Sequence, residues 1–192
     1  MQLWVGLGNP EPGMSRHRHN IGFMAVDAIA SRHGFSPWRA RFKGLTAEGI
    51  VGGEKIIALK PLTYMNASGE SVQAASGFFK IEPAAITLFH DELDLPPGRV
   101  RIKRGGGAAG HNGLRSTDQM LGTPDYWRVR LGIGHPGHKD RVTGHVLGDF
   151  SAADRLWLTS LLDALAAEAP YLAHHEPDKF GSRLAALEPS GP

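Results

Sequence analysis

The feature that most constrains how this chain can fold is a recurring join, in which a short apolar run feeds a small polar loop, with stretches of helical spacing set between such runs. Gln2–Leu7 runs into Gly8-Asn9-Pro10, Ala85–Phe89 runs into His90-Asp91-Glu92, and Trp127–Ile133 alternates into Gly134-His135-Pro136-Gly137. Ile21–His33 places Ile21, Met24, Ala25, Ala28 and Ile29 three and four residues apart, with Asn20 positioned to cap it. Ser68 to Phe79 repeats the pattern with Val72, Ala75, Phe78 and Phe79. Such spacing between buried strands is what helices packed on a sheet require. Leu45–Val51 and Lys55–Leu59 flank Gly52-Gly53 and read as a hairpin that Pro61 ends, which makes the sheet mixed rather than wholly parallel. Arg99–Arg104 is a further strand, and Leu114–Leu121 and Ala152–Ala167 are further helices. The expected fold is a three-layer α/β single domain over residues 1–187, a central twisted mixed β-sheet flanked by helices, with 188–192 a frayed tail.

Composition narrows the chemistry. The 192 residues include no cysteine, which removes disulfides, thiolate nucleophiles and cysteine-based metal sites together. No stretch approaches the roughly 18 apolar residues of a membrane span, and Met1–Gly13 lacks the basic start and apolar centre of a secretory signal, so a cytoplasmic setting is expected. A net charge of +2 is too small to identify a polyanionic partner. Local patterning says more: alternation puts Arg99, Arg101 and Lys103 on one strand face, and Arg130 lies on a neighbouring strand of the same basic–apolar type. That face must meet solvent or an anion. Arg101, Lys103 and Arg130 are therefore candidates for phosphate contacts, against the plainer reading of a solvated strand face.

The strand-end loops gather histidines, acids and asparagines, without a Gly-x-Ser-x-Gly elbow. His90 and His111, Asp91 and Glu92, together with Asn9, Asn66 and Asn112, form a set suited to activating water: a carboxylate-steered imidazole takes the proton and amides steady the oxyanion. Taken singly, such residues have plainer readings, the asparagines as turn formers and His19, nearby, as a surface residue at a helix start. Gly132-Ile133-Gly134-His135-Pro136-Gly137 formally matches a dinucleotide-binding fingerprint, but Pro136 lies inside it and no apolar-periodic helix follows. The paired histidines at 135/138 and 174/175 lack a carboxylate partner, so no metal site is expected.

Five motifs in order, Val5-Gly6-Leu7-Gly8-Asn9-Pro10, Arg18-His19-Asn20-Ile21-Gly22-Phe23, Tyr64-Met65-Asn66-Ala67-Ser68-Gly69, His90-Asp91-Glu92-Leu93-Asp94-Leu95-Pro96-Pro97-Gly98 and Gly110-His111-Asn112-Gly113-Leu114, closely resemble the bacterial peptidyl-tRNA hydrolases. The resemblance continues through Arg128–Gly137 to Val146-Leu147-Gly148, so it covers most of the chain. It implies a monomeric α/β enzyme without cofactor or metal that cuts the ester between a peptide and the terminal ribose of tRNA. Its partner would be peptidyl-tRNA, held at the acceptor stem and CCA end. By the same resemblance His19 is the base and Asp91 orients it. Asn9, Asn66 and Asn112 contact the peptide, the scissile linkage or its water, Tyr64 and His111 line the tRNA end of the cleft, and Met65 counts with them as substrate-binding. The chain departs from the family where Glu11, Met14 and His17 replace a usual glycine, tyrosine and threonine, and where Ala108-Ala109 replaces a glycine- or histidine-richer pair. A catalytically silent RNA-binding relative is the remaining rival, and retention of His19, Asp91 and all three asparagines argues against it.

Overall fold

A computed structural model describes residues 1–187. The tail expected at 188–192 lies outside the described residues. In chain order the elements are β1 (Gln2–Gly6), α1 (Ile21–Arg32), β2 (Arg39–Arg41), β3 (Gly44–Val51), β4 (Glu54–Pro61), α2 (Ser68–Phe79), β5 (Ile86–Glu92), β6 (Val100–Arg104), α3 (Asn112–Leu121), β7 (Trp127–Gly132), α4 (Val142–Val146), α5 (Asp154–Ala173) and α6 (Pro177–Ala185). The strands form one seven-stranded sheet in the order β2-β3-β4-β1-β5-β7-β6. β4, β1, β5 and β7 run parallel, with Gln2 opposite Ile56, Leu3 opposite Ile86 and Thr87 opposite Trp127. β2, β3 and β6 are antiparallel to their neighbours. The fold is a single α/β domain with a mixed sheet flanked by helices on both faces.

Strand alternation divides the core in two. Trp4, Phe89, Val129 and Leu131 pack with residues of α1, α5 and α6 on one side, and Leu3, Val5, Leu7 and Leu88 pack with residues of α2 and α3 on the other. Because the four central strands are parallel, the loops after β1, β4, β5 and β7 all open on one edge. β6 runs against β7, with Arg104 opposite Trp127, so the chain leaves it at the opposite edge and must climb back over the sheet to reach α3. The glycine loop makes that climb with left-handed backbone at Gly105, Gly106 and Gly110. Arg128 Nη1 ties it down by donating to Gly107 O at 2.7 Å.

Two glycines set how closely α1 approaches the sheet. A Cβ on Gly6 would lie 2.2 Å from Gly22 O, and one on Gly22 would lie 2.3 Å from Phe89 O and 2.6 Å from Leu7 N. Only hydrogen fits there, so the start of α1, and the 3-10 turn Arg18–Asn20 that leads into it, sit down on the ends of β1 and β5.

Several elements differ from the sequence expectation. Asn20 precedes α1 but makes no capping bond; its amide bonds the backbone of Asn9 instead. The helix expected at Leu114 begins at Asn112, capped by the His111 side chain. The helix expected at Ala152–Ala167 runs from Asp154 to Ala173 through Pro170. A proline there cannot donate to Ala166 O, and His33 Nε2 bonds that carbonyl at 2.7 Å. β2, α4 and α6 were not expected. β2 is three exposed residues, too short for an alternating signal. α6 carried its marks, Pro177 in the first turn and Phe180 and Leu184 buried four apart.

Candidate functional site

His19 is carried on the 3-10 turn before α1, and Asp91 sits near the end of β5. His19 Nδ1 lies 2.7 Å from Asp91 Oδ2, and His111 Nε2 lies 2.7 Å from Asp91 Oδ1. An ionised carboxylate only accepts, so both imidazoles donate to it. His111 Nδ1 accepts from the N–H groups of Gly113 at 3.1 Å and Leu114 at 3.3 Å, which fixes its tautomer and seats the ring at the head of α3. His19, by contrast, bonds only through Nδ1, and its Nε2 keeps a lone pair with no partner among the described residues. The Asp91 side chain is 2% exposed and that of His19 13%, so the carboxylate is enclosed while the imidazole reaches the cleft.

The charges reinforce this order. Burial disfavours the imidazolium of His19, but the charge of Asp91 and the hydrogen bond to it outweigh burial and raise its pKa above the ordinary histidine value. Burial alone would raise the Asp91 pKa; the charges of His111 and His19 and their hydrogen bonds win, and hold its carboxyl well below the usual carboxylate range. His90 is pushed down to about 4, by burial first and by neighbouring His111 second. It stays neutral, with Nδ1 bonded to Asp91 O at 2.9 Å and Nε2 buried without a partner among the described residues.

Around this cluster lies a cavity of about 1040 Å³, the size of a site for a large ligand. Asn9, His19, Tyr64, Met65, Asn66, Asp91, His111, Asn112, Lys103 and Arg130 all line it. The expectation thus separates at one residue: Arg101 is exposed and lies opposite Arg130 in the β6–β7 register, yet is outside the cavity lining. Arg130 is not a bare cation, since its Nε donates to Glu92 Oε1 at 2.9 Å. Asn9 Oδ1 accepts from Met65 N–H at 3.2 Å. That bond settles the amide's orientation, because only the oxygen can face a donor, and it leaves Nδ2 as the group available to a ligand.

Sequence reasoning gave His90 no role of its own, read Asn20 only as a helix cap, and assigned nothing to Arg128. His90 and Asn20 stood inside quoted motifs, but nothing in the sequence says that their rings or amides point inward. Arg128 belongs to a basic–apolar alternation that reads as solvated; instead it is 2% exposed and bonds Gly107 O, Asp118 and Tyr126. The dinucleotide reading has no structural support either: after β7 the chain passes through a loop to a 3-10 turn at Lys139–Arg141, so no helix N-terminus faces the glycines. His19, Asp91 and His111 are the group of described residues whose ligand atoms, within 4.8 Å of one another, have metal-binding chemistry. In this arrangement His19 Nδ1, His111 Nε2 and both carboxylate oxygens of Asp91 are engaged in hydrogen bonds.

A mixed α/β sheet whose strand-end loops enclose a carboxylate-bonded imidazole has the groups that general-base chemistry in a hydrolase requires. Comparison with known proteins gives the particular family. Residues 3–189 match the peptidyl-tRNA hydrolase family, and the chain belongs to it. It is 71% identical to the peptidyl-tRNA hydrolase of Granulibacter bethesdensis over 185 residues, covering 96% of this chain and 95% of that protein. With the Acidiphilium cryptum enzyme of the same name it shares 69% over 187 residues, 97% of each. The crystal structure of peptidyl-tRNA hydrolase from Acinetobacter baumannii superposes with a TM-score of 0.92 at 39% identity, covering 99% of this chain and 97% of that one. Among the described residues no helix is long and apolar enough to cross a membrane.

Proposed function

We propose that the chain hydrolyses peptidyl-tRNA, with His19 as general base and Asp91 as the group that orients it. The observation that carries this reading is the hydrogen bond from His19 Nδ1 to Asp91 Oδ2 at 2.7 Å, which leaves Nε2 as the lone-pair nitrogen on the cleft side. Water attacks the ester carbonyl and gives its proton to His19 Nε2. The tetrahedral oxyanion is steadied by amide donors from Asn66 and Asn112, which line the same cavity. On collapse the ribose oxygen leaves and takes the proton back from His19, so peptide acid and free tRNA depart and the base is restored.

Asn9 selects the peptide. Its Nδ2 donates to the carbonyl of the last peptide group, and a free α-ammonium in that place brings donors against a donor. Lys103 and Arg130 hold phosphate at the tRNA end of the cleft, Arg101 extends the basic strand face, and Tyr64, 64% exposed at the mouth, offers a ring to the terminal nucleotides. The enzyme acts as a cytoplasmic monomer without metal.

The test is release of the blocked amino acid from N-acetyl-aminoacyl-tRNA with chelator present. The wild type turns over, and His19→Ala loses about 10²–10⁴ in rate while keeping its fold. RNA binding without cleavage would make the chain a binding module, and loss of activity on chelation would contradict the metal-free mechanism.

A further inference from the structure

Asn20 follows the base in sequence, is 2% exposed, and spends its whole amide on one neighbour. Its Oδ1 accepts from Asn9 N–H at 2.9 Å and its Nδ2 donates to Asn9 O at 3.0 Å. A side chain thus pairs with both backbone groups of one residue, as a strand would. A helix-capping amide would instead accept from an N–H of the first turn of α1, and Asn20 makes no such bond. Asn9 is held a third time, through Oδ1, by Met65 N–H. Three contacts fix the residue, which lines the cavity, and its Nδ2 is left with no partner among the described residues.

We infer that Asn20 is a positioning residue for substrate selection: it locks the Asn9 loop to the turn that carries His19, so the amide that reads the peptide and the imidazole that activates water keep one fixed separation. The inference rests on the reading of Asn9 as selector. It adds that selection is built by a pair, and that the second member never touches substrate. Without the lock the Gly8-Asn9-Pro10 loop can turn its backbone, and Nδ2 no longer meets the peptide carbonyl at one angle. His19 keeps its bond to Asp91 in that case, so proton transfer survives while discrimination falls.

The experiment is a double-mutant cycle read as a ratio, kcat/KM for N-acetyl-aminoacyl-tRNA over kcat/KM for unblocked aminoacyl-tRNA. Asn9→Ala and Asn20→Ala each lower the ratio by about 5–100-fold, the span expected for two neutral hydrogen bonds. Adding Asn20→Ala to Asn9→Ala changes it by less than about twofold, because the lock then holds nothing that selects. The pH midpoint of kcat/KM stays where it is in the wild type. Asn20→Asp, nearly isosteric, keeps the acceptor for Asn9 N–H and sets a carboxylate against Asn9 O; it gives the same loss of ratio and serves if the alanine variant fails to fold. Equal losses on both substrates, or losses that multiply in the double variant, overturn the inference and leave Asn20 a structural residue. No change in ratio on Asn9→Ala alone removes the selector, and the inference with it.

Discussion

Gly22→Ala tests whether close packing of α1 places the base. The added Cβ would lie 2.3 Å from Phe89 O, 2.6 Å from Leu7 N and 2.7 Å from Leu7 O, all backbone atoms that cannot swing aside. Leu7 N also donates to Phe89 O at 3.0 Å, so the methyl presses on the bond that joins the ends of β1 and β5. An ordinary carbon–oxygen contact is about 3.3–3.6 Å, so the start of α1 must lift by about 1 Å. Overpacking of this kind costs about 1–3 kcal/mol, and at this chain length each kcal/mol lowers Tm by about 2–4 °C. The expected fall is about 2–12 °C. His19 precedes Gly22 by three residues on a continuous turn and rises with it, which stretches the 2.7 Å bond to Asp91. A 1 Å misplacement of a catalytic group costs about 10²-fold in rate. The control is Gly77→Ala, in α2, where a Cβ meets nothing within 4 Å and alanine gains up to about 1 kcal/mol of helix propensity. Thermal melts and kcat/KM on N-acetyl-aminoacyl-tRNA read both effects. If Gly22→Ala melts and turns over like Gly77→Ala, close packing does not position His19 and the reasoning fails.

The remaining predictions concern charge. Asp91→Asn removes the charge that raises the His19 pKa and leaves burial, which lowers it; the acid limb of kcat/KM therefore moves to lower pH while the plateau falls by about 10²–10⁴. An unmoved limb would mean that Asp91 does not set the base. Linkage has the matching sign: the folded-state pKa of Asp91 is depressed, so its contribution to stability is present above the ordinary carboxylate range and is lost as pH falls through the folded value. Melts as a function of pH should show this loss in the wild type and not in Asp91→Asn. For tRNA, each neutralised phosphate contributes about −0.7 to −0.9 to the slope of log affinity against log salt, so Lys103, Arg130 and Arg101 together give about −2 to −3. Lys103→Gln should flatten the slope by about one such step, and a salt-independent KM would remove the clamp.

The sequence carried the fold wherever periodicity was long enough to read. Ser68–Phe79 and the hairpin about Gly52-Gly53 appear where spacing placed them, the two glycines taking the positive φ values that a two-residue turn needs. What it could not carry was set by tertiary contact. Helix α5 outruns its expected end because His33, far away in sequence, bonds the carbonyl that Pro170 leaves open. β2 shows no alternation because Arg39, Ala40 and Arg41 are all exposed. At the site, motifs named His19, Asp91, His111 and the asparagines, and the structure gathers them at one cavity. The motifs gave no direction to side chains. Asn20 reads as a cap until its amide is seen on Asn9, and Arg130 reads as a free phosphate ligand until Glu92 is seen beside it.

The central claim is that His19, steered by Asp91, is the group that takes the proton from water. Its most direct test is to follow the His19 imidazole by NMR across pH and to measure kcat/KM for N-acetyl-aminoacyl-tRNA in the same buffers. The account predicts that His19 titrates above an ordinary histidine, and that the rate rises to its plateau through the same midpoint. A rate that stays flat while His19 gains and loses its proton would contradict it.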